Sequence, residues 1–251
     1  MRVDVPGSKV WVIPDLQIPL HDKRFVDAMA ACIENNSEDG DRVVTIGDEL
    51  DFTSIGRWSE GTPSAYTKAL GRERDEWVQV ATDLRVTDVI RSNHTDRLYT
   101  SIMRKVPGLL GVPEFELTNF MRLPELGIDF HPKGLRLKDW CFLHGDEAGV
   151  SQIAGTTAKN LVTKVGLNIC QGHTHRAGLV PHTTGVNGKI TRTLWGMEVG
   201  HAMDTSKATY VKTHNWQQAW AVLYENGNTY TPYLMPVVRK SFTFEGIQYA
   251  W

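Results

Sequence analysis

Arg42-Val43-Val44-Thr45-Ile46-Gly47-Asp48-Glu49-Leu50-Asp51 is the stretch that decides how this chain folds. Its apolar, largely β-branched start suits a short buried strand, and the run stops at Gly47-Asp48. Four other segments end in the same manner. Lys9-Val10-Trp11-Val12-Ile13-Pro14 runs into Asp15-Leu16-Gln17, and Asp88-Val89-Ile90 leads to Ser92-Asn93-His94. Trp140-Cys141-Phe142-Leu143 precedes His144-Gly145-Asp146, and Leu167-Asn168-Ile169-Cys170 precedes Gly172-His173-Thr174-His175. Ligands of open α/β folds gather at the carboxyl ends of strands. Five polar clusters at such ends therefore predict one shared polynuclear metal site.

The segments between these strands complete the architecture. Phe25, Val26, Met29, Ala30 and Ile33 are spaced as one helical face, which predicts a helix over 24–34. Further helices are expected over 65–84 and 150–165. This β-α-β-α-β order favours a parallel sheet. Past His175, strands are expected over 190–195, 219–224 and 229–236, with Asn226-Gly227 as the turn between the last two. Residues 52–88 and 95–127 are long for simple crossovers and are expected to carry helices over the site. With neither repeat nor linker in view, one domain over residues 1–251 is expected.

Composition narrows the classes. The chain has 251 residues, 41% hydrophobic and 22% charged, with a net charge of −2. That is globular, and it lacks the basic footprint of a typical nucleic-acid-binding protein. A run of roughly 18 apolar residues, as a membrane span needs, is absent. No signal-like apolar core precedes the first strand, so a cytoplasmic location is expected. Cys32, Cys141 and Cys170 sit in apolar runs and read as buried, reduced thiols. Neither Cys141 nor Cys170 stands at a helix N-terminus, which sets aside a Cys–His144 nucleophile. Phosphate-binding glycine loops, His-Glu-x-x-His and Gly-x-Ser-x-Gly are all missing.

Each cluster has a chemical reading. Asp15 taken alone could be a turn or helix-cap residue. Residues two apart on an extended segment share a side, so Asp15 and Gln17 can grip one ion, and His173-Thr174-His175 repeats that spacing. Gly47 permits a sharp turn and close approach before Asp48, whose carboxylate can bridge two cations. Glu49 and Asp51 read as turn or supporting groups. At the next corner Asn93 can give an amide oxygen to a metal while His94 projects towards a substrate. Neutral imidazoles suit His144, His173 and His175 as ligands. Two divalent ions bring four positive charges and Asp15 and Asp48 remove two. The remainder would attract a phosphate and acidify a water, and such pairs, about 3.5–4 Å apart, serve in-line displacement at phosphorus.

In order and content these clusters resemble the calcineurin-like metallophosphoesterase superfamily, whose pattern is D-x-H, G-D-x-x-D, G-N-H-D/E, a lone His and G-H-x-H. The likeness spans residues 15–175. It implies a four-layer α/β/β/α sandwich of two mixed sheets, with the site at the strand ends. It also implies that Asp15, Gln17 and His175 hold one metal, that Asn93, His144 and His173 hold a second, and that Asp48 bridges them. His94 takes the place of the catalytic histidine, as acid or charge stabiliser beside a metal-bound hydroxide.

Two departures stand out. Gln17 replaces the usual His with a hard amide oxygen, which tilts the cofactor towards Mn²⁺, with Mg, Fe, Zn, Ni or Co as alternatives. Ser92 and Thr95 replace the Gly and the acid, leaving Asp96 as the nearest acid to orient His94. The resemblance implies a phosphodiesterase on nucleotides or nucleic acid. A phosphomonoesterase on phosphoprotein or small metabolites is the alternative, and a non-catalytic metal-binding scaffold the rival class. His21 is expected at the site rim as a substrate contact. His131, His182, His201 and His214 read as structural or surface residues, and the tryptophans, Trp58 and Trp77 included, as core. Arg57, Arg72, Arg74, Arg91, Arg97 and Arg104 read mostly as a solvated face, one or two of them free to bind a second phosphate.

Overall fold

The protein is described by a computed structural model over residues 8–56, 59–66, 69–208 and 214–251. Residues 1–7, the segment ahead of the first strand, lie outside these, as do Arg57 and Trp58. The first half alternates strand and helix: β1 (Lys9–Ile13), α1 (Lys23–Asn36), β2 (Arg42–Thr45), α2 (Ala69–Asp83), β3 (Asp88–Ile90) and α3 (Asp96–Lys105). Two short helical turns, α4 (Leu117–Phe120) and α5 (Leu123–Leu126), precede β4 (Asp129–His131). The second half is strand-rich: β5 (Leu135–Leu137), β6 (Trp140–Leu143), α6 (Thr156–Val165), β7 (Asn168–Gln171), β8 (Ala177–Val186), β9 (Lys189–Val199), β10 (Ala219–Asn226), β11 (Thr229–Pro236), β12 (Ser241–Phe244) and β13 (Ile247–Ala250).

Two mixed sheets result. The first runs β11-β10-β1-β2-β3-β4, with β1 to β4 parallel and β10 and β11 antiparallel additions. The second runs β5-β6-β7-β9-β8, parallel in its middle and antiparallel at both edges. Alternation along β1 shows how the layers are built. Val10 and Val12 point into the core between the sheets, where they meet Trp140, Phe142, Cys170 and Met197. Trp11 and Ile13 point the other way, under Phe25, Met29 and Ile33 of α1 and Trp77 and Val80 of α2. Behind the second sheet, Ile169 and Leu194 pack against Ala158, Leu161 and Val162 of α6. The order is helix, sheet, sheet, helix, the expected four-layer α/β/β/α arrangement.

Differences from expectation have local causes. The helix expected from residue 150 begins at Thr156, because the chain first passes through Gly155 at φ +77°. A Cβ on Gly155 would lie 2.4 Å from Val180, and one on Gly178 would lie 2.6 Å from the Gly155 nitrogen. Only paired glycines allow α6 to start so close to β8. The helix expected from residue 65 begins at Ala69, after a 3₁₀ turn over Pro63–Tyr66. The strand expected over 190–195 extends to Lys189–Val199 and pairs with β8. β8 carries Gly178, Pro181 and Gly185, which hide it from strand propensity, and it is an edge, where Pro is tolerated. The three cysteines are free, Cys32 and Cys170 fully buried, and burial pushes the Cys32 thiol up to about 12. Among the described residues, no helix is long and apolar enough to cross a membrane.

Candidate metal centre

All five clusters converge at one end of the two sheets. β1 delivers Asp15 and Gln17, β2 delivers Asp48, β3 delivers Asn93 and His94, β6 delivers His144, and β7 delivers His173 and His175. Two groups of ligand atoms form, each within 4.8 Å: Asp15, Asp48 and His175, and Asp48, His144 and His173. Asp48 belongs to both. Two amides lie against these groups, Gln17 against the first and Asn93 against the second. Gln17 Nε2 lies 3.2 Å from Asp48 Oδ2 and 3.1 Å from His175 Nε2, and Asn93 Oδ1 lies 3.0 Å from His144 Nε2.

The local backbone explains the convergence, though not by extended geometry. Gln17, Asp48, His173 and His175 all have positive φ, at 49°, 56°, 65° and 57°. Asp15 with Gln17, and His173 with His175, are therefore brought together by left-handed turns. Each such non-glycine residue costs about 1 kcal/mol or more. That cost is met by loop-to-loop bonding: the Gln17 N–H donates to the Asp48 carbonyl at 2.7 Å, and the Ile18 N–H to the Glu49 carbonyl at 2.9 Å. Two glycines allow the close approach. A Cβ on Gly47 would sit 2.6 Å from His144 Nδ1, and one on Gly172 would sit 2.2 Å from Asp15 Oδ1.

Electrostatically the cluster is able to hold a cation. Asp15 and Asp48 are almost fully buried, and His144 is completely so. His144 Nε2 stands 3.3 Å from Asp48 Oδ1, and His175 Nε2 stands 3.2 Å from Asp15 Oδ2. Burial disfavours a charged His144, yet the Asp48 carboxylate outweighs it and lifts the imidazole to about 10. Burial likewise opposes the Asp48 anion, but His144 and His94 hold it well below the usual carboxylate range. Burial, then the neighbouring His144 charge, pushes His173 down. A proton on His144 thus answers the negative charge that a metal would answer. Gln17 Oε1 is buried without a hydrogen-bond partner among the described residues, an acceptor suited to such an ion. The donor set of carboxylate, amide oxygen and imidazole fits a divalent metal.

His94 lies beside the cluster. Its Nε2 is 3.7 Å from Asp48 Oδ2 and 2.6 Å from Arg97 Nη2. Because the guanidinium can only donate, Nε2 accepts, and the ring proton belongs on Nδ1. That nitrogen faces Asp51 Oδ1 at 3.4 Å, though outside hydrogen-bond geometry. Burial lowers the basicity of His94, partly offset by Asp48. The acid facing His94 is therefore Asp51. Asp96 is turned away to Arg91, which also binds Asp146 at 2.7 Å. Ser92 and Thr95 bond to each other as a pair. The Ser92 N–H donates to Thr95 Oγ1 at 2.8 Å and Thr95 Oγ1 donates back to the Ser92 carbonyl, fixing the corner that carries Asn93 and His94.

Other residues fall differently. His21 is 2% exposed, with Nε2 3.9 Å from Glu76, and burial pushes it down to about 4. So enclosed a ring offers a substrate no surface, so the rim position expected of it is not what the structure has. His201, 1% exposed, accepts from the Met203 N–H and lies 5.6 Å from the His175 ring. Trp216 stacks edge-on to His175 at 4.5 Å. Glu198 had no signal in the sequence beyond a lone charge in a strand. Its Oε1 accepts from the Thr157 and Ala158 N–H groups at the start of α6, and its Oε2 from the Thr174 hydroxyl at 2.8 Å. It anchors the loop between His173 and His175.

No protein-family profile matches the chain. The Gene 54 protein of Mycobacterium phage L5 is 32% identical over 252 residues, covering 96% of this chain and 98% of that protein. The Gene 54 protein of Mycobacterium phage D29 is 30% identical over the same shares. Among solved structures, Vacuolar Protein Sorting 29 from Cryptosporidium parvum aligns over 96% of this chain and 94% of its own, at 13% identity and a TM-score of 0.44. Wild-type Vps29 complexed with Zn²⁺ from Entamoeba histolytica covers 96% and 99%, at 14% identity and a TM-score of 0.46.

Proposed function

The chain belongs to the family of the mycobacteriophage Gene 54 proteins, and we propose that it is a binuclear-metal phosphoesterase of the calcineurin-like superfamily acting on phosphodiesters. One observation carries this reading: two ligand groups from four separate loops share the single carboxylate Asp48. Asp15, Gln17 and His175 would hold one divalent ion, Asn93, His144 and His173 the other, and Asp48 both. Bound there, the pair would supply Lewis acidity towards a phosphoryl oxygen and a water of lowered pKa. Mn²⁺ suits the hard oxygen of Gln17.

The chain's own groups do the rest. His144 Nδ1 faces the Ile46 carbonyl at 2.9 Å, which keeps Nε2 directed at the cluster as a ligand. Asp51 and Arg97 hold the His94 ring between them. A phosphate reaching Arg97 would draw the guanidinium off Nε2; that nitrogen would then take up a proton from solvent, with Asp51 facing Nδ1 to stabilise the imidazolium, and pass it to the oxygen that departs. Arg97 then neutralises charge on the phosphoryl group.

Calorimetric titration with Mn²⁺ should give two ions per chain, and the loaded protein should hydrolyse bis(p-nitrophenyl) phosphate faster than p-nitrophenyl phosphate. His94→Gln should keep both ions and lower kcat by about 10²- to 10⁴-fold. Failure to bind Mn²⁺, or an unchanged kcat in His94→Gln, would overturn the assignment. Preference for the monoester would instead make the protein a phosphomonoesterase.

A further inference from the structure

A cavity of about 360 Å³ opens from Asn93 along α3. Arg97, Thr100, Ser101 and Arg104 share one face of that helix, with Lys105 at its edge, and Ile55 and Gly56 form the facing wall. Leu98 and Ile102 point into the core from a second face, and Tyr99 and Met103 are exposed on a third. Three cations line the cavity against one acid, Glu60, in a chain whose net charge is −2. Arg97 is already engaged, with Nη2 on His94 and Nη1 on the Asp51 carbonyl. Among the described residues, Arg104 and Lys105 have no ion-pair partner, whereas Arg97 on the same helix faces Asp51.

We propose that this cavity binds the second phosphate of a single-stranded nucleotide chain whose scissile phosphate lies at the metal centre. The proposal rests on the phosphoesterase reading and names its substrate class. Arg97 and Arg104 are seven residues apart on one helix, about 10 Å along its axis. That separation exceeds the width of one phosphate and calls for a second anion further along the ligand. A phosphopeptide would bring amides into this space, leaving Arg104 and Lys105 unanswered. A nucleotide chain brings the next phosphate, with its sugar against Ile55 and Gly56.

Two measurements test this. In EDTA, where turnover is suppressed, fluorescence anisotropy would follow fluorescein-labelled tetrathymidylate binding to wild type and to Arg104→Gln/Lys105→Gln. The double variant should bind about fivefold more weakly. Its slope of log affinity against log salt should be shallower by about 1.4, the value for two lost contacts to a single strand. Under turnover with Mn²⁺, the ratio of kcat/KM for tetrathymidylate to that for bis(p-nitrophenyl) phosphate should fall about fivefold in the variant. An unchanged affinity and slope would overturn the proposal. So would inorganic tripolyphosphate or a phosphoserine peptide competing as strongly as unlabelled tetrathymidylate. Wild type that hydrolyses neither ester would defeat the phosphoesterase reading instead, since the anisotropy reports the cavity's preference without turnover.

Discussion

The two halves of the cluster share Asp48 and little else. Asp15, Asp48 and His175 are all buried, and Gln17 between them is 2% exposed. Its partner half has one shared carboxylate, two imidazoles and Asn93, with His173 half-buried and Asn93 lining the cavity along α3. A closed, doubly acidic half suits an ion that stays in place. An open half of mainly neutral donors suits an ion that meets the substrate. On the proposed reading, the one shared carboxylate would couple a retained site to an exchangeable one.

The largest effect should come from breaking what the halves have in common. Asp48→Asn removes the only carboxylate of the second half and one of two in the first. Both Mn²⁺ equivalents should be lost in calorimetry, and diester hydrolysis should fall by at least about 10³-fold, since it depends on both ions. Retention of one tightly bound ion would show that Asp15 suffices, and that the halves are less dependent on Asp48 than the shared geometry indicates.

Much of this centre was legible in the sequence because strand ends announce themselves. An apolar run followed by Gly-Asp or Gly-His needs no tertiary information to be recognised, and all seven expected ligands lie in the two groups or against them. Extended geometry is not what pairs Asp15 with Gln17. Both pairs two residues apart depend on left-handed backbone, and the φ of Gln17 is set by hydrogen bonds to the loop after β2. Asp51 in place of Asp96 was illegible for a similar reason: nearness in sequence gave no notice that Arg91 would claim Asp96. Glu198 is 24 positions from the threonine it holds, and only the pairing of β7 with β9 brings the two together. β12 and β13 were missed although Phe242 and Phe244 alternate inward, because the turn at Glu245-Gly246 is what marks the hairpin.

A smaller effect should sharpen the contrast between the halves. Gln17→His exchanges an amide oxygen for an imidazole only in the buried half. Softer and later metals should gain there, so the ratio of Mn²⁺- to Zn²⁺-supported activity should drop by about an order of magnitude. An unaltered ratio would mean that Gln17 contacts Asp48 and His175 without contacting a metal.

The smallest effect should treat both halves alike. Glu198 reaches neither group directly, but its hold on Thr174 sets the loop that sends His173 to one and His175 to the other. In Glu198→Gln an amide NH₂ faces donors where a carboxylate oxygen accepted from them, at a site that is fully buried. Leaving one buried donor unsatisfied costs about 1–3 kcal/mol. For a chain of this length that corresponds to a fall in Tm of a few degrees, about 2–4 °C per kcal/mol. Affinity for the first and second Mn²⁺ should weaken together, by about the same factor, because one anchor serves both histidines. If only the second ion weakened, the buried half would be holding His175 through Trp216 and His201 rather than through the loop. The closed half would then be stabilised by its aromatic surroundings, and the coupling between the halves would reside in Asp48 alone.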